Sequence, residues 1–134
     1  MELLGQGGFG EVWKARNPHF DGIAPVALKF CLDPAAKERL LKHEAHIINQ
    51  VMRQGRHEGI VPLLRTYLNA DPPCLEYEYI DGGDLSDLLA RAPSRRLDLA
   101  VLLRIAREVA AGLAEINRLG MTHRDVTPRN ILLT

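Results

Sequence analysis

The chain has 134 residues, 46% of them hydrophobic, which suits one modest domain with a core and is too little for two large ones. Seventeen basic residues balance seventeen acidic ones, so no global field gathers nucleic acid, an anionic membrane surface or a polyanionic substrate, and any phosphate site must be local. The two cysteines, Cys31 and Cys74, are far apart and outside any Cys-x-x-Cys spacing, which fits a reducing compartment and argues against zinc; both read as core fillers.

Met1-Glu2-Leu3-Leu4-Gly5 carries neither the basic nor the apolar segment of a leader. The apolar run from Leu99 to Leu103 is closed by Arg104, far short of the about 20 residues a helical membrane span needs. These features predict a cytoplasmic chain without a membrane segment.

From Leu3 to Phe30 the pattern is strand-like and broken by turn residues: Gly5 to Gly10, Val12 to Arg16, Asn17-Pro18 to Pro25, then Val26 to Cys31. It predicts a glycine-rich hairpin and a third strand. Asp33-Pro34 supplies an N-cap and a proline at the first helical position, opening a helix to about Met52 that Gly55 to Gly59 ends. Two strands, Ile60 to Leu68 and Cys74 to Ile80, flank the turn Asn69-Ala70-Asp71-Pro72-Pro73, and Asp81-Gly82-Gly83 then breaks the chain. Asp84 to Ala90 predicts a short helix. After the Arg91-Ala92-Pro93-Ser94 connection, Asp98 caps a long one whose apolar stripe is Leu102, Ala106, Val109, Leu113 and Ile116. Gly120 stops it in a left-handed C′ position.

Gly5-Gln6-Gly7-Gly8-Phe9-Gly10 has the spacing G-x-G-x-x-G, which lets backbone N–H groups approach a phosphate with no Cβ in the way. A dinucleotide fold needs a strand before the glycines and a helix after them, yet four residues precede Gly5 and Glu11 to Arg16 alternates like a strand. The segment is therefore a hairpin tip, and alone it equally fits an ordinary glycine-rich turn.

Alternation in Val26-Ala27-Leu28-Lys29-Phe30 sets Lys29 on the face of the small Ala27, opposite Val26, Leu28 and Phe30. On the helix after Asp33, Glu44 falls inside an apolar stripe of Leu40, Leu41, Ile47, Ile48, Val51 and Met52. A carboxylate there needs a cation, with Lys29 the best candidate, unless Glu44 snorkels to solvent. His43-Glu44-Ala45-His46 is one residue short of the His-Glu-x-x-His spacing of a zinc helix.

The most specific string is His123-Arg124-Asp125-Val126-Thr127-Pro128-Arg129-Asn130. An Asp and an Asn five residues apart on a proline-containing loop can set a carboxylate on a substrate hydroxyl and an amide oxygen on a metal; the bland alternative is a polar loop before a strand.

Taken together, the glycine-rich hairpin, Val-Ala-Leu-Lys, the helix glutamate, Glu-Tyr-Ile-Asp-Gly-Gly-Asp-Leu and His-Arg-Asp-x-x-x-x-Asn resemble the eukaryotic-type protein kinases, in the same order and over essentially the whole chain. The resemblance implies an α+β, protein-kinase-like fold. Residues 1–80 would form a five-stranded antiparallel N-lobe sheet with one major helix, and residues 81–134 the first helices of an incomplete helical C-lobe. It implies ATP and Mg2+ as cofactors and a protein substrate as partner. Gly5, Gln6, Gly7, Gly8, Phe9 and Gly10 would cover the phosphates, Lys29 would hold them, and Glu44 would orient Lys29. Val12, Ala27 and Leu132 would sandwich the adenine, Tyr77 would gate the pocket, Glu78 to Ile80 would form the hinge, and Asp84 would reach the ribose. Asp125 would accept the hydroxyl proton, Asn130 would hold magnesium, and His123 with Ile48 would join an internal spine.

Two departures bear on this. Thr127 stands where Ser/Thr kinases usually carry a lysine; Arg129 resembles tyrosine kinases and Pro128 the Ser/Thr branch, and the expectation is Ser/Thr specificity. After Asn130 the sequence contains no Asp-Phe-Gly, so the isolated chain is expected to be catalytically incomplete, with an uncovered apolar face on its long helix that favours self-association. The alternatives are a non-catalytic kinase-like module that binds nucleotide or a partner, and a small-molecule phosphotransferase relative, which Arg124 disfavours.

Overall fold

The computed structural model describes residues 1–8, 10–39, 50, 53 and 55–134. They form two compact units, one from Met1–Arg56 and Val61–Tyr79, the other from His57–Ile60 and Ile80–Thr134.

The first unit is an antiparallel sheet of β1 (Glu2–Gly7), β2 (Gly10–Ala15), β3 (Val26–Phe30), β4 (Leu63–Tyr67) and β5 (Cys74–Glu78), ordered β1-β2-β3-β5-β4. Gly7 pairs with Gly10 and closes the glycine-rich hairpin. Gly10 is held at φ 125°, and a Cβ there would overlap the Phe30 carbonyl oxygen, so only glycine fits. β4 is shorter than the predicted Ile60 to Leu68, because Pro62 has no N–H to give to a ladder and contributes only its carbonyl, which accepts from Glu78 N at 2.9 Å. Cys31 and Leu75 are buried, with Leu63, Leu68 and Tyr77 packed against them.

Helix α1 (Pro34–Arg39) opens as predicted: Ala35 N donates to Asp33 Oδ1 at 2.9 Å. Phe9, and Glu44 and Ile48 with His43 and His46, lie outside the described residues.

In the second unit α2 (Leu85–Arg91) is capped by Asp84, whose Oδ1 accepts from Asp87 N at 2.9 Å. The helix α3 (Leu99–Arg118) is capped by Asp98, whose Oδ1 accepts from Ala100 N at 2.8 Å. It ends at Gly120, φ 77°, with Gly120 N donating to Asn117 O at 2.9 Å and Met121 N to Ile116 O at 3.1 Å.

The buried positions of α3 are Ile105 and Gly112, while in the predicted stripe Leu102 is 47% exposed and Val109, Leu113 and Ile116 are half-buried. At Gly112 the contact is with backbone: a Cβ on Gly112 would stand 2.5 Å from Gly59 O, and one on Gly59 would stand 2.9 Å from Glu108 O. The segment His57–Ile60 thus seats on α3 at Gly112, which buries that glycine. Leu99, Leu102 and Leu103 remain exposed. Among the described residues, no helix is long and apolar enough to cross a membrane.

Candidate active site

Residues paired across antiparallel strands share a face. Val12 pairs with Lys29 and Lys29 with Leu75; one step along, Lys14 pairs with Ala27 and Ala27 with Tyr77. Val12, Ala27, Lys29 and Tyr77 therefore stand on one face of the sheet. Val26, Leu28 and Phe30 take the other, as the alternation predicts, and Glu78 joins them through its pairing with Val26. No described carboxylate pairs with Lys29.

Among the described residues, a Cβ built on Gly5, Gly7 or Gly8 meets nothing within 4 Å, which leaves space there for an approaching ligand. Gln6 pairs with Glu11 across the hairpin, and its Nε2 donates to Glu11 Oε1 at 3.0 Å, while Trp13 Nε1 donates to Glu11 Oε2 at 3.0 Å. Glu11 clasps the hairpin with both oxygens, a role the sequence pattern did not reveal. Lys14, on the face of Ala27, reaches Tyr79 and lies 3.9 Å from its ring centroid, a cation–π contact that the sequence pattern also left unread. Glu78 spends its N–H on Pro62, and its carboxylate pairs with Arg56. Ile80 opens the second unit's long segment.

In the second unit, Asp84 bridges Leu132, flanked by Leu85 N to Ile131 O at 2.9 Å and Leu133 N to Gly83 O at 2.9 Å. Two predicted nucleotide residues are thereby neighbours, although capping of α2 occupies one Asp84 oxygen.

The His123–Asn130 loop is held by its own side chains. Asn130 Nδ2 donates to Asp125 O and to Asp125 Oδ2, each at 2.9 Å, and Asp125 N donates to His123 Nδ1 at 3.3 Å. A 3-10 turn over Pro128–Asn130 brings Asn130 back, closed by Asn130 N to Thr127 O at 3.0 Å. Arg124 sits at φ 62°, a left-handed conformation that costs a non-glycine residue about 1–2 kcal/mol. Positions 122–130 are all exposed. With Nδ2 engaged, the Asn130 carbonyl oxygen and Asp125 Oδ1 accept no hydrogen bond from the described residues. Among the described residues, no group of three or more His, Cys, Asp or Glu forms a metal cluster.

The family model for protein tyrosine and serine/threonine kinases matches residues 1–134. The chain belongs to the protein kinase family. Among curated proteins this kinase chain is 31% identical, over 99% of its length, to the leucine-rich repeat receptor-like serine/threonine/tyrosine-protein kinase SOBIR1 of Arabidopsis thaliana. It spans 23% of that relative's length. The five-stranded antiparallel sheet and the helices that follow it are those of a protein-kinase-like α+β fold.

Proposed function

We propose that this chain is the ATP-binding portion of a protein kinase that transfers a phosphoryl group to Ser/Thr hydroxyls in the cytoplasm. The observation that carries the reading is the shared face of Val12, Ala27, Lys29 and Tyr77 beside the open Gly5, Gly7 and Gly8. Val12 and Ala27 offer the apolar surface an adenine ring stacks on. Lys29 is a point charge for the α- and β-phosphates, and the glycine backbone lets N–H groups reach them.

The donor set of the second unit fits a hard cation at one point, the Asn130 carbonyl oxygen, held in place by the two hydrogen bonds of its Nδ2. A magnesium ion there would screen the charge of the phosphates. Asp125 would take the hydroxyl proton as the hydroxyl oxygen bonds to phosphorus and the bond to the departing diphosphate breaks. The 134 residues contain no Asp-Phe-Gly, so in isolation this chain binds nucleotide without turnover. The exposed Leu99, Leu102 and Leu103 draw isolated copies together.

Nucleotide affinity of Lys29→Met and Gly7→Ala variants tests the reading, with weaker binding expected in both. Gly7→Ala is the cleaner test, since among the described residues the added Cβ meets nothing within 4 Å and so would obstruct an incoming phosphate. Unchanged affinity in both variants would refute the phosphate cradle.

A further inference from the structure

The sheet face opposite Lys29 carries a concavity of about 990 Å³. Val26, Leu28 and Phe30 of β3 and Cys74 of β5 line it, and Ile23 and Leu64 add apolar surface. Leu28 pairs with Glu76, and Phe30 with Cys74, which fixes these side chains on one face.

Its charges are layered. Glu76 is 8% exposed, its Oε2 accepting from the Tyr67 hydroxyl at 2.7 Å while Oε1 lies 3.8 Å from Arg65 Nη1. Glu78 pairs with Arg56. The side chains of Arg65 and Arg56 are 70% and 75% exposed, against 10% and 36% for their glutamates. Arg16, also exposed and lining the concavity, has no counter-ion among the described residues. The carboxylates are thus recessed and already matched, and the guanidinium groups face water. Ile23, 53% exposed, extends the apolar surface outward, and the same loop carries Phe20, 63% exposed.

We propose that this face docks a partner's peptide segment in which apolar and acidic residues alternate. The apolar side chains would cover Val26, Leu28 and Phe30, and the carboxylates would meet Arg16 first and then Arg65 and Arg56. A basic segment would meet like charge at the rim. A polyphosphate chain would leave the apolar floor uncovered and unrewarded.

The test is fluorescence anisotropy of the 134-residue chain with a labelled peptide alternating leucine and glutamate. A leucine–lysine counterpart and vesicles of phosphatidylserine and phosphatidylcholine serve as comparison arms. Saturable binding of the acidic peptide is expected, weakening with added salt and dropping about tenfold or more in Arg16→Glu and in Ile23→Asp. Both variants alter exposed side chains, so melting temperature and nucleotide affinity should hold, which separates this site from the nucleotide face. Equal binding of the lysine peptide, binding of vesicles but not of peptide, absence of saturable peptide binding, or indifference to both substitutions would overturn the proposal.

Discussion

Glycines in one short loop divide into two kinds. Gly7 has open space where a Cβ would go, whereas Gly10 has the Phe30 carbonyl there and a positive φ. Gly10→Ala is therefore expected to lower the denaturant midpoint of the chain by an amount worth about 1–3 kcal/mol, while Gly7→Ala leaves it nearly unchanged. Urea titration of both variants checks this. Cys74 supplies a second residue-level expectation. Burial first, then Cys31 and Glu76, raise its thiol above the ordinary range. A raised folded value means that the stabilisation is full below the unfolded thiol's range and is lost as pH rises through the folded one. Stability should accordingly fall on the alkaline side, and alkylation of the native chain by iodoacetamide should be slow until denaturant is added. Fast alkylation of the native protein would contradict the burial. Residue by residue, the sequence exposed what alternation and motif spacing encode, such as the facing of Lys29. It hid Glu11, because nothing in a strand pattern says that two donors, Gln6 and Trp13, converge on one carboxylate.

Element boundaries were legible where their chemistry is local. Asp33, Asp84 and Asp98 each accept from a backbone N–H at the start of their helix, and Gly120 ends α3 in the left-handed region. Removing the Asp98 cap by Asp98→Ala should cost about 1 kcal/mol, read from the unfolding midpoint. The burial of Gly112 on α3 was not legible, because it depends on contact with Gly59, remote in sequence. Gly112→Ala is expected to force the backbones apart at a cost of about 1–3 kcal/mol, more than the Asp98 change, although alanine favours helix. A neutral or stabilising Gly112→Ala would show that the contact yields readily.

For the whole molecule, the order of motifs along the sequence was enough to read a protein-kinase-like fold, which the match over residues 1–134 bears out. Patterning put the uncovered apolar surface on the long helix through Leu102, and the structure adds Leu99 and Leu103 to it. Leu99, Leu102 and Leu103 are 67%, 47% and 60% exposed on one helix. Sedimentation velocity over a range of concentrations should show the isolated chain self-associating, and the double change Leu102→Glu and Leu103→Glu should return it to monomer. A compact monomer for the parent chain at every concentration would defeat that expectation. The path of the polypeptide has a consequence for dissection. The chain passes from one unit to the other at Arg56–His57, returns at Ile60–Val61 and leaves again at Tyr79–Ile80. A single cut after Tyr79 does not liberate the second unit, because the stretch that fills the notch at Gly112 stays with the other piece. Such halves are suited to fragment complementation: separately produced pieces should regain order on mixing, with Gly59 as the peg that each needs the other to seat.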